Sequence, residues 1–237
     1  MPIDANAKPL IQLIVQCGYV FVRFLTAPLS DAPAEQVAKA LFNRGLMRGK
    51  RGDLDGEIAD YTTIIALTDA PAKRVAQALL NRGIMKGQRG DPDGEVADYT
   101  TIIVLPNAPA ELAAQALVNR GIRKDQQSDA DGAIADYTAA ITLSGAPAGQ
   151  ILKALVNRGL TKGKWDYSDG ANADFTAVIT LPGAPAELVA RAVLNCGITK
   201  GQQGDAKGEI ADYTAVIALS DAPADVIEEA RRNLADH

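Results

Sequence analysis

The triplet Asn43-Arg44-Gly45 returns as Asn81-Arg82-Gly83, Asn119-Arg120-Gly121 and Asn157-Arg158-Gly159, and in altered form as Asn195-Cys196-Gly197, always 38 residues on. A fixed internal period of this size constrains the fold more than length does. Each unit is a piece of supersecondary structure that cannot bury its apolar face alone and must stack on its neighbours. The chain of 237 residues is therefore read as an array.

Within a unit the pattern is helical twice. In the first full unit Asp31 can cap a helix with Pro33 in its first turn, where a missing N–H costs nothing. Val37, Leu41, Gly45 and Gly49, with Ala38, Phe42 and Leu46 beside them, form one stripe at i, i+4 spacing. Gly52 ends this helix of about 18 residues, and Asp53 caps a second of about 14 whose apolar face is Ile58, Tyr61, Ile64, Ile65 and Leu67. With 47% hydrophobic but only 5% aromatic residues, the core is built from Ala, Leu, Ile and Val, which suits closely packed helices better than a sheet sandwich. Close approach of the two helices is expected at Gly45 and Gly49 against Gly56 and Ala59.

Five full units follow from the period: 31–68, 69–106, 107–144, 145–182 and 183–220. Residues 1–30 read as a degenerate half-repeat that caps the first unit, and 221–237 as a polar capping helix carrying Glu228, Glu229, Arg231 and Arg232. The apolar run 10–25 is short of the ~20 residues that span a bilayer and lacks the basic start of a signal peptide. Leu10, Ile14, Val20, Phe21 and Phe24 are instead candidates for self-association. The two cysteines, Cys17 and Cys196, fall in different units, where an internal disulfide does not form, which suits a reducing, cytoplasmic setting.

The unit resembles a tetratricopeptide repeat: Gly45 mid-first-helix, the Gly52-Asp53 turn, Tyr61 in the second helix and a terminal Leu67 match that family's pattern and recur through residues 31–220. It is a 38-residue variant of the family's 34-residue unit. Arg48, Lys86, Lys124, Lys162 and Lys200 stand where the family usually has a large aromatic, and Glu57, Glu95 and Glu209 where it has a small residue. The resemblance implies an all-α fold, a right-handed α-solenoid of antiparallel helix hairpins, with first helices lining a concave face. It also implies a protein or peptide partner.

Charge is segregated. The first-helix halves of the five units sum to +12 and the second-helix halves to −15. Two readings stand: a basic inner face against an acidic outer one, or complementation within each hairpin. Arg44, Arg82, Arg120 and Arg158 each have an aspartate 16 residues on (Asp60, Asp98, Asp136, Asp174), as expected if Arg pins the hairpin angle with a bidentate pair. Cys196 deprives Asp212 of that partner, so the fifth hairpin is expected to be looser.

The candidate peptide-binding residues are an Asn row, Asn43, Asn81, Asn119, Asn157 and Asn195, with Lys39, Gln77, Gln115, Lys153 and Arg191 four residues earlier on the same helix flank. Asn can donate to and accept from an extended backbone, while Lys and Arg favour an acidic segment. Trp165, the sole tryptophan, is a binding anchor or the filling of a distorted turn. Catalysis has little to work with: the one histidine is His237, and no metal-ligand spacing or Gly-rich phosphate loop occurs. Asp53-Leu54-Asp55-Gly56-Glu57 lacks the distal Glu of a calcium loop and is explained by helix capping. A net charge of −5 argues against nucleic acid.

The expected function is thus a non-enzymatic scaffold without cofactors that binds an acidic or extended peptide. The alternative is a self-assembling structural protein joined through the apolar N-terminal helix or through opposite-charge faces, a homo-oligomer. Solution mass measured as salt is raised separates the two modes of assembly: a charge-driven one dissociates once the Debye length contracts, and an apolar seam persists until residues 1–30 are removed.

Overall fold

The computed structural model describes residues 33–236, which form eleven α-helices and no strand. They are α1 (Ala34–Lys50), α2 (Leu54–Ala66), α3 (Ala72–Gln88), α4 (Pro92–Val104), α5 (Ala110–Gln126), α6 (Ala130–Thr142), α7 (Ala148–Lys164), α8 (Ser168–Thr180), α9 (Ala186–Gln202), α10 (Ala206–Ala218) and α11 (Ala224–Ala235). First helices of 17 residues alternate with second helices of 13. Leu10, Ile14, Val20, Phe21 and Phe24, with Cys17 and Asp31, lie outside the described residues.

The described residues fall into two compact units, one of 33–98 with 105–107 and the other of 99–104 with 108–236. In the first, α1 packs on α2 and α2 on α3. In the second, each helix from α5 to α11 packs on the next, and the first helices α5, α7, α9 and α11 also touch in succession. This one-dimensional stacking makes the architecture an all-α solenoid.

The helix starts differ from those expected. Pro71, Pro109, Pro147, Pro185 and Pro223 are themselves the N-cap residues, in extended backbone and without a side-chain cap bond. Proline can sit there because its carbonyl, not its missing N–H, serves the first turn: Pro71 O accepts from Arg74 N and Val75 N at 2.8 and 3.1 Å. Asp69, which corresponds to Asp31, is not a cap at all but occupies the left-handed turn at φ 63°. The second helices begin as expected, with Asp53, Asp129 and Asp205 accepting from Gly56, Gly132 and Gly208 N at 2.9 to 3.0 Å.

The closest approach of the two helices is also not where the sequence suggested. A Cβ on Gly121, Gly159 or Gly197 would lie 2.6 to 2.7 Å from the ring of Tyr137, Phe175 or Tyr213, and one on Gly45 3.1 Å from Tyr61. The glycine is needed because a whole aromatic ring lies flat over the first helix, and these rings are 0 to 2% exposed. Gly49 and Gly201 make room for the carboxylates of Glu57 and Glu209 rather than for Gly56 or Ala59.

Those carboxylates are there for the rings. Tyr61 donates to Glu57 Oε1 at 2.8 Å and Tyr213 to Glu209 Oε1 at 2.9 Å, which satisfies a phenol that packing has cut off from water. In the third repeat Ala133 replaces the glutamate, yet the hydroxyl survives. Its acid now comes from the first helix, as Asp125, and Thr161 hydrogen-bonds the phenol of Tyr137. In the fourth repeat both acid positions are empty, at Gly163 and Ala171, and the ring is Phe175, with no hydroxyl to satisfy.

The hairpin angle is held by ion pairs. Arg82, Arg120 and Arg158 each grip Asp98, Asp136 and Asp174 through Nε and Nη2 at 2.6 to 2.9 Å, and Arg44 grips Asp60 likewise. The third arm of the fork reaches the preceding repeat: Nη1 of Arg82, Arg120 and Arg158 donates to Thr62, Thr100 and Thr138 Oγ1 at 2.8 to 3.1 Å. Each aspartate takes a second cation one helical turn on, from Arg48, Lys86, Lys124 or Lys162 at 3.0 to 3.1 Å. The basic residues that replace the family's aromatic are therefore the other half of this clamp.

The fifth hairpin corrects one expectation. Asp212 is not left without a partner by Cys196, because Lys200 closes to 2.7 Å and water reaches the rest: the carboxylate is 19% exposed, against 2 to 6% in the other repeats.

A buried phenol without an acceptor costs about 1–3 kcal/mol. Phe175→Tyr should therefore lower the unfolding free energy by about 2 kcal/mol in urea titrations, and Ala171→Glu, with Gly163 leaving room, should recover about half of it. An unchanged F175Y, or a double variant no better than the single one, would refute the pairing.

Burial raises the phenols of Tyr61, Tyr137 and Tyr213, the last from 10.0 to about 12, with Glu209 accepting its hydrogen bond as the second cause. It also raises the Cys196 thiol from 9.0 to about 11, with Asp212 adding to the effect. All are held neutral in the folded state, so their contribution is complete below the unfolded values and is lost as pH rises through the folded ones. The urea midpoint should hold up to about pH 9 and fall progressively toward about pH 12, with Tyr213→Phe flattening the upper part of the fall.

Candidate functional site

The Asn row lies on the first helices, partly or fully accessible throughout. In the first unit Lys39 and Asn43 are exposed and Gln77 and Asn81 half-buried. In the second, Lys153 is exposed, and Gln115, Asn119, Asn157, Arg191 and Asn195 are half-buried. Backbone periodicity places each pair one turn apart on a flank, and two pairs are tied directly. Asn81 Nδ2 donates to Gln77 O at 2.9 Å and Asn157 Nδ2 to Lys153 O at 2.8 Å. This local bond fixes the amide's rotamer and leaves its carbonyl oxygen and one N–H facing outward.

The position four residues earlier is less uniform than the spacing implied. Lys39 and Lys153 carry no partner among the described residues. Gln77 Oε1 accepts from Arg74 Nη1 at 3.0 Å. Arg191 is engaged on both sides, with Glu187 at 3.4 Å in its own helix and Asp225 at 2.9 Å in α11, and Asp225 is the main cause of its raised pKa. Its guanidinium serves the junction with the last helix.

Most of the first-helix charge is directed inward. Arg44, Arg48, Arg82, Lys86, Arg120, Lys124, Arg158, Lys162 and Lys200 all face second-helix aspartates. Of the two readings of the charge pattern, complementation within the hairpin accounts for these residues. The cations left at the Asn-lined flank are Lys39 and Lys153.

Sequence reasoning passed over one feature of this flank. Leu46 and Leu160, three residues beyond Asn43 and Asn157, are 39% and 46% exposed, and Ile84, Ile122 and Ile198 at the same place are half-buried. An apolar residue thus accompanies each amide, one turn away. The i, i+3 spacing was visible in the sequence, but a helix pattern does not say which apolar residues a neighbouring repeat will cover.

The hairpin turn of the fourth repeat departs from the others. Asp166 takes the left-handed position, φ 63°, that Gly52, Gly90 and Gly204 occupy elsewhere. Tyr167 stands at the N-cap of α8, where Asp53, Asp129 and Asp205 bond their helices, and provides no cap bond. Trp165 and Tyr167 are 41% and 52% exposed, so neither fills the turn, and the Lys164 ammonium lies 5.8 Å from the Trp165 ring.

Among the described residues no group of His, Cys, Asp and Glu could hold a metal ion, and no helix is long and apolar enough to cross a membrane.

No protein-family model matches the sequence, and no curated protein does. Solved structures do. MamA superposes with a TM-score of 0.62 at 18% identity over 85% of this chain and 96% of its own. A tetratricopeptide repeat protein from Parabacteroides merdae gives 0.65 at 19% identity, over 84% and 72% of the two chains. YrrB, described as a TPR protein with an unusual peptide-binding site, gives 0.59 at 15%, over 84% and 99%. At such identities the likeness carries architecture and not ligand, and together with the stacked hairpins it establishes that this chain has the fold of the tetratricopeptide-repeat proteins.

Proposed function

We propose that the chain is a protein-interaction scaffold, not an enzyme, that binds an extended peptide segment of another protein along the Asn-lined flank of its first helices. The observation that carries this is the state of the amides. Asn81 and Asn157 are locked by their own helices with an acceptor and a donor left over, which is what the backbone of an extended chain requires. The exposed leucines beside them, Leu46 and Leu160, offer apolar contact for the peptide's side chains.

An acidic segment is favoured only locally, by Lys39 and Lys153, because the larger part of the first-helix charge is neutralised inside the hairpins. The residues proposed to contact the peptide are Lys39, Asn43, Gln77 and Asn81 in the first unit, and Gln115, Asn119, Lys153, Asn157 and Asn195 in the second. Arg191 contributes through α11. The rigid clamps beneath keep the amides in register before binding, which limits the entropy lost on association. YrrB, a protein of the same fold with a peptide-binding site, is consistent with this use of the architecture.

Replacing Asn81, Asn119 and Asn157 together by Ala tests the assignment. Each hydrogen bond is worth about 1 kcal/mol, so affinity for a partner recovered by pull-down should fall on the order of a hundredfold in calorimetry. Helical circular dichroism should be unchanged, since Ala is the better helix former. Unchanged affinity would place the site elsewhere.

A further inference from the structure

In each hairpin turn one residue is placed to reach back to the preceding repeat. Arg89 does so, its Nη1 pairing with Asp55 in the first turn of α2. Gln203 does the same in the second unit: its Nε2 donates to Asp169 Oδ1 at 2.7 Å and its Oε1 accepts from Asn172 Nδ2 at 3.1 Å. In the fourth repeat the equivalent residue is Trp165, which lies beside Lys164 instead. Asp131, the counterpart of Asp55 and Asp169, therefore has no partner among the described residues.

The space stays open. A hollow of about 530 Å³ is lined by Asp131, Ile134, Lys162, Asp166, Tyr167 and Asp169. Lys162 does not neutralise it, being held by Asp174 at 3.0 Å and by Gly170 O at 3.4 Å. Asp169 already accepts from Gln203, which leaves Asp131 and Asp166 as unmatched charges beside the ring of Tyr167. The same turn gives up a glycine in the left-handed position and an aspartate cap to present Asp166 and Tyr167, and neither loss is recovered in packing, since Tyr167 is 52% exposed. Local rules broken without structural return mark functional positions.

We propose that this hollow docks an arginine side chain from a segment of a partner protein, which takes against Asp131 and Asp166 the place that Arg89 takes against Asp55 in the first unit. The chain itself supplies the template for the ligand, because the filler it uses at the equivalent place is a guanidinium. A planar guanidinium can bond a carboxylate with its edge and lie on a phenol ring with its face, which an ammonium cannot do. The site is independent of the Asn-lined flank, and either can fail without the other.

The test uses the full chain and an acetylated, amidated pentapeptide with one arginine among glycines, alongside its lysine counterpart. Trp165, the only tryptophan, reports binding by fluorescence, and calorimetry serves for the variants. The arginine peptide should bind more tightly than the lysine peptide, and Asp131→Asn should weaken it about fivefold, the factor for an ion pair near the top of the surface range. Trp165→Arg, which restores the reaching side chain within the chain, should abolish binding without lowering Tm. Asp55→Asn, whose carboxylate already holds Arg89, should change nothing. Failure of the arginine peptide to bind, retained binding in Trp165→Arg, or equal losses in Asp55→Asn and Asp131→Asn would overturn the proposal, the last by showing mere attraction to an acidic chain.

Discussion

A carboxylate buried at 2 to 6% exposure in a helix interface would be ruinous alone, and Asp60, Asp98, Asp136 and Asp174 are tolerable only because each receives a bidentate arginine and a second cation. Net stabilisation is not the main product of such a cluster, since the desolvation of the charges offsets most of their attraction. Its product is geometry. An Arg fork has one good way to meet a carboxylate 16 residues on, and its remaining N–H reaches the threonine of the preceding second helix. Hairpin angle and repeat stacking are thereby set by one side chain.

The aromatic ring beneath that clamp follows the same logic. Its placement over the glycine of the first helix demands a flat approach, and its hydroxyl demands an acid. The repeats meet the second demand in three ways: a glutamate from the second helix, an aspartate from the first, or no hydroxyl at all. These are alternative solutions to one condition, that a polar group removed from water must find a partner.

A scaffold held this firmly leaves its functional freedom to surfaces. On the first-helix flank the amides are oriented by their own helix backbone and the leucines beside them stay accessible. At the fourth turn the chain departs from its own repeat, giving up a cap, a glycine and an inter-repeat contact at one place. Both features depend on the regular repeats around them, because only against a fixed lattice of hairpins does a missing side chain become a hollow of defined shape.

The 38-residue period, the two helices per unit, the Asp caps of the second helices and the Arg to Asp pairing were legible in the sequence, because each depends on local spacing or on two residues changing together. The role of Asp69, the ring lying over Gly45, the second cation on each aspartate and the rescue of Asp212 by Lys200 were not. They depend on which side chains of two helices share a place, and helical periodicity fixes a residue's own face but not the depth or partner it meets across the interface. The charge pattern shows the division most clearly: the sequence by itself determined that first helices are basic and second helices acidic, and only tertiary packing decided that these charges meet inside the hairpin, because the aspartates are carried into the interface where bare charge is not tolerated.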